Sequence, residues 1–287
     1  MLVRAHAKIN LLLSVTPGLD EGGYHRVDTI MCPLELCDLV SVEASADAGV
    51  RLMCAPDPLP PGTPCEKNVA YRAAVAMGER FGRDLACDIA IEKRVPSQAG
   101  LGGGSSDAAA VIRALAALWG VDPLDARLVE VAAGLGADVP FFLCEVPTLL
   151  VGRGDVPRER FAAFSVPVVL VKPPVGVSTA EAYRTLDALA PSVPEAQAMA
   201  RLLRAGDVAG ALAGVANNME GAARLLCPDL VEVGEFLCRQ PSLRHGPLLC
   251  GSGSCMAAFV DDDADAERIA ASARGFGWWS TATRTLA

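Results

Sequence analysis

Alternating apolar and polar positions near the N-terminus predict a first β-strand. Ile9, Leu11 and Leu13 recur at every second position, which is the side-chain period of a strand. Lys8 and Asn10 occupy the intervening positions, so both side chains lie on the opposite face from Ile9. A charged and an amide side chain therefore share one face of an otherwise apolar strand.

The same periodicity, with Gly and Pro as breaks, predicts the remaining elements. Strands are predicted over residues 27–43, 85–91, 166–171, near 248–249, 256–260 and 278–284. Helices are predicted over residues 68–81, 105–119, 122–136 and 264–274, and at several places between 179 and 238. A polar break is expected at Asp38, a glycine-containing turn at 20–24 and a proline-rich surface loop at 56–64. Strands and helices mix without regular alternation, which favours an α+β fold in two lobes. We expect one domain over residues 1–160 and a second over 161–287.

Composition narrows the class of protein. The chain has 287 residues, of which 52% are hydrophobic and 21% charged, and this is typical of an ordered globular protein. Its net charge is −9 without a basic stripe, which argues against a nucleic-acid partner. No run of 18 apolar residues and no signal peptide is recognised, so we expect no membrane span and a cytoplasmic location.

Cysteine and histidine spacing gives no support for a metal site. The ten cysteines include no C-x-x-C pair, and only three histidines are present. Zinc ligands need closer and more regular spacing. The cysteines are interpreted as small buried hydrophobic residues in a reducing compartment, and no protein-held metal is predicted.

A glycine-rich loop carries the candidate chemistry. Four of the five residues from Gly100 to Gly104 are glycine, and Ser105 and Ser106 follow at the start of a predicted helix. A backbone without Cβ atoms lets a ligand approach closely, and the unpaired N–H groups of a helix N-terminus attract phosphate. The loop matches neither the Walker A nor the Rossmann pattern. The alternative interpretation is a flexible turn before a capped helix.

These residues resemble a known family. The segment 96–109 is similar to the ATP-binding motif of the GHMP kinases. Five further segments resemble motifs of one branch, which phosphorylates the 2-hydroxyl of 4-diphosphocytidyl-2-C-methyl-D-erythritol in non-mevalonate isoprenoid biosynthesis. They are Ala7–Leu11, Gly23–His25, Leu135–Phe142, the pair Lys172–Pro173 with Gly176–Glu181, and Gly251–Ser254. The resemblance implies a ribosomal protein S5 domain 2-like N-terminal lobe and a ferredoxin-like C-terminal lobe.

The resemblance also implies roles for individual residues. Asp138 and Lys8 would be the catalytic pair, with Mg²⁺ accompanying ATP. The ATP-binding residues would be Pro96, Ser97, Gln98, Ala99, Gly100, Leu101, Gly102, Gly103, Gly104, Ser105, Ser106 and Asn68. The residues for the cytidine-linked substrate would be Asn10, Tyr24, His25 and Tyr183. The protein would work as a monomer or homodimer on this small molecule.

Other interpretations stay open at the level of sequence. Asp138 could simply cap the short helix 139–143, Lys8 could be a solvated lysine on an edge strand, and Gly251–Ser254 could be a tight turn. The chain could be another GHMP kinase, acting on homoserine or a sugar-like alcohol, or a nucleotide-binding protein without catalysis. Tyr24, His25 and Tyr183 argue against another GHMP kinase activity, because homoserine and sugar-like alcohols carry no cytosine. The presence of both Lys8 and Asp138 argues against a nucleotide-binding protein without catalysis.

Overall fold

The computed structural model of the chain describes residues 1–56 and 63–287. In this part of the chain the strands are β1 (Leu2–Val15), β2 (Val27–Ala44), β3 (Gly49–Ala55), β4 (Ala86–Glu92), β5 (Thr148–Val151), β6 (Val156–Arg160), β7 (Pro167–Lys172), β8 (Ala216–Asn217), β9 (Leu243–Leu249), β10 (Met256–Val260) and β11 (Trp279–Arg284). The helices are α1 (Val69–Phe81), α2 (Gly103–Trp119), α3 (Ala126–Leu135), α4 (Thr179–Leu189), α5 (Ala196–Arg204), α6 (Val208–Ala213), α7 (Glu220–Leu226), α8 (Asp229–Cys238) and α9 (Asp263–Arg274). Short 3₁₀ turns span Cys65–Lys67 and Val139–Leu143.

The predicted mixture of strands and helices is confirmed, and most elements lie where periodicity put them. The strand predicted over 256–260 is β10, and the helix predicted over 264–274 is α9. The proline-rich loop predicted at 56–64 falls mainly outside the described residues. Sequence reasoning missed β3, β5 and β6, which are short or mostly exposed and therefore show little apolar alternation.

Two local predictions are wrong. Asp38 does not break the second strand, because β2 continues through it and the side chain is fully buried with hydrogen-bond partners. The helix predicted to begin at residue 122 begins at Ala126 instead. The carboxylate of Asp125 accepts the N–H of Arg127 at 2.9 Å and starts α3, whereas Asp122 bonds the N–H of Leu124 in the preceding turn.

The chain forms two compact units that are not contiguous in sequence. Unit 1 comprises Met1–Ala7, Leu36–Ser97 and Gly102–Glu145, and unit 2 comprises Lys8–Glu35, Gln98–Leu101 and Val146–Ala287. Strands β1 and β2 each contribute residues to both units. The division into sequence domains at residue 160 stays a prediction.

Unit 1 combines helices with strands that follow the sheet order β3–β4–β2–β1, and it contains only the second half of β2 and the first residues of β1. Within it β3 runs parallel to β4, and β4 is antiparallel to the second half of β2. Helices α1 and α3 both pack against α2, whose buried residues include Ala108, Val111, Ile112 and Leu115. The apolar period read from the sequence thus corresponds to the buried face of α2.

Unit 2 contains a four-stranded antiparallel sheet in the order β11–β7–β10–β9. Counted along the chain, this is the order fourth, first, third, second, with helices after the first and third strands, which is the ferredoxin-like arrangement. One apolar core joins this sheet to α4, α7, α8 and α9. The C-terminal lobe type implied by the resemblance is therefore present.

Candidate active site

The N-terminus of α2 is built from residues without side chains. Gly102 precedes the helix in the left-handed conformation, with φ at 74°, and supplies no capping side chain. The first backbone N–H groups of an α-helix have no intrahelical partner. Because Gly102 has no side chain to cap them, the start of α2 offers these donors and the positive end of the helix dipole to an anion.

Two buried oxygens beside this helix start have no hydrogen-bond partner among residues 1–56 and 63–287. They are Oγ of Ser106 and Oδ1 of Asp107. An unsatisfied buried polar atom costs about 1–3 kcal/mol, so such atoms call for a ligand. A hydroxyl and a carboxylate oxygen next to an open helix N-terminus fit a phosphate group with its accompanying divalent cation.

A buried charge cluster links three elements of unit 1. Lys93, just after β4, donates to Asp107 of α2 at 2.7 Å and also to Asp38 of β2. The second oxygen of Asp38 accepts the backbone N–H of Val95 at 2.8 Å. Lys93 therefore ties the first turns of α2 to the chain that enters the glycine loop.

The cluster also explains why glycine stands at position 103. A Cβ there would lie 3.0 Å from Cγ1 of Val95 and 3.3 Å from Nζ of Lys93. Both distances are tighter than ordinary contacts between carbon and its neighbours. The glycine lets α2 begin directly against the Lys93 ammonium.

The charges in the cluster alter proton affinities. Burial raises the pKa of Asp107 to about 7, and the nearby Lys93 offsets this only in part. Burial works to lower the pKa of Lys93, but Asp107 and Asp38 outweigh it and the pKa is raised. Lys93 therefore stays charged, while Asp107 titrates near neutral pH.

This titration predicts a pH-dependent stability. Between the ordinary pKa of 3.8 and the folded value of about 7, the folded state holds a proton that the unfolded state releases. The free energy of unfolding should therefore fall as pH rises through this window, by up to ~1.4 kcal/mol per pH unit, and level off above it. Urea unfolding from pH 4 to 8 would measure the free energy of unfolding of the wild type and of Asp107→Asn. The contribution of Asp107 to the pH dependence should be absent in the variant. Parallel curves for the two proteins would contradict the prediction.

The first part of the glycine loop lies in unit 2, against a second glycine-containing turn. The N–H of Ser254 donates to the carbonyl of Gln98 at 3.1 Å, and that of Cys255 donates to Ala99 at 3.3 Å. A Cβ at Gly100, whose φ is 74°, would lie 1.7 Å from the carbonyl oxygen of Cys250. Glycine at position 100 is thus required by this close backbone approach.

Lys8 and Asn10 share one face of β1, as the alternation predicts. Nζ of Lys8 donates to Oδ1 of Asn10 at 2.7 Å, and Nδ2 of Asn10 donates to Oγ1 of Thr29 at 2.8 Å. Both side chains are buried. The interpretation of Lys8 as a solvated lysine is therefore wrong, and its ammonium is held in a fixed position near the backbone of Gly251.

Two of the predicted cytidine-contact residues, His25 and Tyr183, lie in contact beside the turn before β2. The rings of His25 and Tyr183 lie 4.8 Å apart with planes tilted by 45°. Tyr24 is exposed, and the guanidinium of Arg153 lies 4.7 Å from the centre of its ring. Nε2 of His25 lies 2.9 Å from Oδ1 of Asp187 on α4. One aromatic ring and an oriented imidazole thus lie together in unit 2, and Tyr24 is the residue before the imidazole in the chain.

Asp138 and Asn68 occupy the ends of elements in unit 1. Asp138 is half-buried and precedes the 3₁₀ turn Val139–Leu143, but its side chain makes no capping hydrogen bond there. The capping interpretation is therefore wrong. Asn68 does cap α1, with Oδ1 accepting the N–H of Ala70 at 2.9 Å. Lys8 and Asp138 belong to different units, and their pairing stays a prediction.

Sequence reasoning assigned no functional role to Asp38, Lys93, Asp107 or Asp187. Asp38 left a signal, since a single carboxylate inside an apolar strand pattern needs a buried partner. Asp187 left none, because it stands among the polar residues expected on an exposed helix face.

Two properties of the described residues, 1–56 and 63–287, bear on other classes of function. They contain no group of three His, Cys, Asp or Glu side chains arranged to hold a metal ion. None of their helices combines the length and apolar character that a membrane crossing needs.

The class of protein follows from the family model and the fold. The model of the GHMP kinases N terminal domain matches residues 68–145, which include the glycines at the start of α2. A crystal structure of 4-(cytidine 5'-diphospho)-2C-methyl-D-erythritol kinase superposes with a TM-score of 0.82, at 34% identity and over 100% of both chains. The fold and the loop are those of a GHMP kinase.

Curated relatives give the branch. A 4-diphosphocytidyl-2-C-methyl-D-erythritol kinase of Pelotomaculum thermopropionicum is 38% identical, over 98% of this chain and 96% of its own length. One of Geobacter sp. (strain M21) is 37% identical, over 98% of both chains. The chain therefore belongs to the 4-diphosphocytidyl-2-C-methyl-D-erythritol kinase family. The resemblance drawn from the sequence motifs is confirmed.

Proposed function

We propose that this protein transfers the γ-phosphoryl group of ATP to the 2-hydroxyl of 4-diphosphocytidyl-2-C-methyl-D-erythritol. The products are the 2-phosphate and ADP, and the reaction serves non-mevalonate isoprenoid biosynthesis. The observation that carries the proposal is the full-length similarity to kinases named for this substrate. The open N-terminus of α2 and the partnerless oxygen of Ser106 support it independently.

Binding of the triphosphate is assigned to the glycine-rich loop from Pro96 to Ser106. Backbone N–H groups at the start of α2 donate to phosphate oxygens, and the buried hydroxyl of Ser106 supplies a further donor. Asn68, whose side-chain amide also carries N–H donors, is proposed to border the adenine. The site needs few basic side chains, which agrees with the net charge of −9.

Mg²⁺ is proposed to accompany the ATP. This ion prefers oxygen ligands and usually keeps several waters and substrate phosphates around it. The unpartnered oxygens of Ser106 and Asp107 fit such an ion. When bound, Mg²⁺ neutralises charge on the phosphates of the nucleotide.

Asp138 and Lys8 are proposed to act on the acceptor hydroxyl as proton acceptor and as stabilising cation. The carboxylate of Asp138 accepts the proton that leaves the alcohol. The ammonium of Lys8, fixed through its bond to Asn10, stabilises negative charge that develops during transfer. Asn10, Tyr24, His25 and Tyr183 are proposed to bind the substrate, with aromatic faces against the cytosine ring.

A cytoplasmic enzyme, monomeric or dimeric, is proposed for this reaction. None of the ten cysteines, all of which lie among the described residues, forms a disulfide, and thiols are the form expected in a reducing compartment.

An ADP-release assay with a set of acceptor alcohols tests the function. Turnover is expected with the cytidine-linked methylerythritol and not with homoserine or simple sugars. Turnover of homoserine alone would assign the protein to another GHMP kinase activity. ATP binding without turnover of any acceptor would make it a nucleotide-binding protein.

Gly104 offers a test of the phosphate site alone. A Cβ at this position would meet nothing within 4 Å, so Gly104→Ala should leave stability unchanged or slightly raised. The methyl group would occupy space that a phosphate approaches, and KM for ATP is expected to rise ~10-fold. Steady-state kinetics and thermal unfolding measure the two effects. Gly134→Ala in α3, where a Cβ also meets nothing, is the matched control, and an unchanged KM in Gly104→Ala would contradict the assignment.

A further inference from the structure

A single carboxylate of α4 fixes the turn that carries His25. Oδ1 of Asp187 accepts the backbone N–H of Gly18 at 2.8 Å and lies 2.9 Å from Nε2 of His25. All three residues belong to unit 2. The first contact holds the backbone of the turn, and the second holds the imidazole ring that the turn presents.

The contact decides which ring nitrogen carries the hydrogen. The N–H of Gly18, and after it the side chain of His25, hold the pKa of Asp187 below its usual range, so the carboxylate is ionised at neutral pH. An ionised carboxylate only accepts hydrogen bonds. Nε2 of His25 must therefore be the donor, and in the neutral imidazole Nδ1 is left as an acceptor.

Helix α4 supplies the aromatic neighbour as well as the carboxylate. Tyr183 stands four residues before Asp187, one helical turn away on the same side, and its ring lies 4.8 Å from that of His25. The side chain of His25 is only 12% exposed. The imidazole is thus held between two side chains of one helix, and its orientation is set by α4.

We propose that Asp187 is a positioning residue that makes the His25 site selective for cytosine over uracil. The proposal rests on the proposed function, in which His25 contacts the base. Cytosine carries an amino group at position 4, which is a donor, whereas uracil has a carbonyl oxygen there. An Nδ1 lone pair accepts from the amino group of cytosine. Against uracil it would meet a second acceptor, and a binding site with a mismatched buried polar group discriminates strongly.

The kinetic test compares cytidine- and uridine-linked forms of the substrate. The wild type is expected to favour the cytidine form by at least ~100-fold in kcat/KM. In Asp187→Ala both tautomers of His25 become accessible and the turn loses its anchor. KM for the cytidine form should then rise ~10-fold with kcat within ~2-fold of the wild type, and the preference for cytidine should fall at least ~10-fold.

Two variants separate positioning from general effects. Asp187→Asn keeps an oxygen that can accept both hydrogen bonds, so its base preference should stay within ~3-fold of the wild type. Glu181→Gln removes one exposed negative charge from the same helix and should change neither KM nor the preference. Equal loss of preference in Glu181→Gln would show that charge alone is responsible and would overturn the proposal.

A measurement without turnover reads the tautomer directly. The chain has only three histidines, so nitrogen NMR of the imidazoles can be assigned with His25→Gln. In the wild type, the hydrogen of the neutral His25 ring is expected on Nε2. In Asp187→Ala, a mixture of the Nε2–H and Nδ1–H tautomers is expected. A hydrogen on Nδ1 in the wild type would overturn the proposal, as would an unchanged base preference in Asp187→Ala.

The proposed function and the role of Asp187 can be refuted separately. If the wild type turns over neither substrate, the proposed function fails. Calorimetric binding of CDP and UDP, together with the NMR signal, then still decides whether Asp187 sets the base preference. Equal affinity of the wild type for CDP and UDP would refute it.

Discussion

Asp138→Asn is expected to lower kcat at least ~100-fold with little change in the affinity for ATP. The proton of the acceptor hydroxyl must leave during transfer, and an amide of nearly the same shape cannot take it. ATP affinity should survive because the triphosphate is assigned to backbone groups at the start of α2. The side chain of Asp138 is not consumed in capping the turn that follows it.

Steady-state kinetics with saturating acceptor, combined with nucleotide binding by calorimetry, measures both effects. Asp84→Asn is the matched control, since Asp84 is an exposed carboxylate of the same unit and should leave kcat unchanged. A near-normal kcat in Asp138→Asn would remove this residue from the mechanism.

Lys93→Met is expected to destabilise unit 1 by about 3–5 kcal/mol. Methionine fills a similar volume but leaves the carboxylates of Asp38 and Asp107 buried without their cation. Asp38 is fully buried and the side chain of Asp107 only 5% exposed, so water cannot replace the ammonium. The start of α2 should lose its anchor, and ATP binding should weaken with it.

Urea unfolding, with hydrogen exchange of the α2 amides as the probe for unit 1, measures the loss. Lys67→Met is the control, because Lys67 is an exposed lysine of the same unit. Combining Lys93→Met with Asp38→Asn should recover part of the stability, since the fully buried group left without its cation is then neutral. A loss below about 1 kcal/mol in Lys93→Met would show that the cluster contributes little to folding.

The local elements could be predicted from sequence because their signals are local. The apolar period of α2 and the alternation in β1 depend on neighbours within a few positions. The glycine-rich loop was recognisable because glycine alone suits backbone that ligand or chain approaches closely. Elements with mixed or exposed faces, such as β3 and β6, gave no comparable pattern.

The amino-acid sequence by itself thus determined the faces of the strands, the helix behind the glycine loop, and the family through motifs kept in order along the chain. Tertiary structure alone decided which distant charges meet. Lys93 and Asp38 are 55 positions apart and His25 and Asp187 are 162 apart. A side chain has no local preference for a partner so far along the chain. Such pairs form only when folding brings their elements together and burial makes an unpaired charge costly.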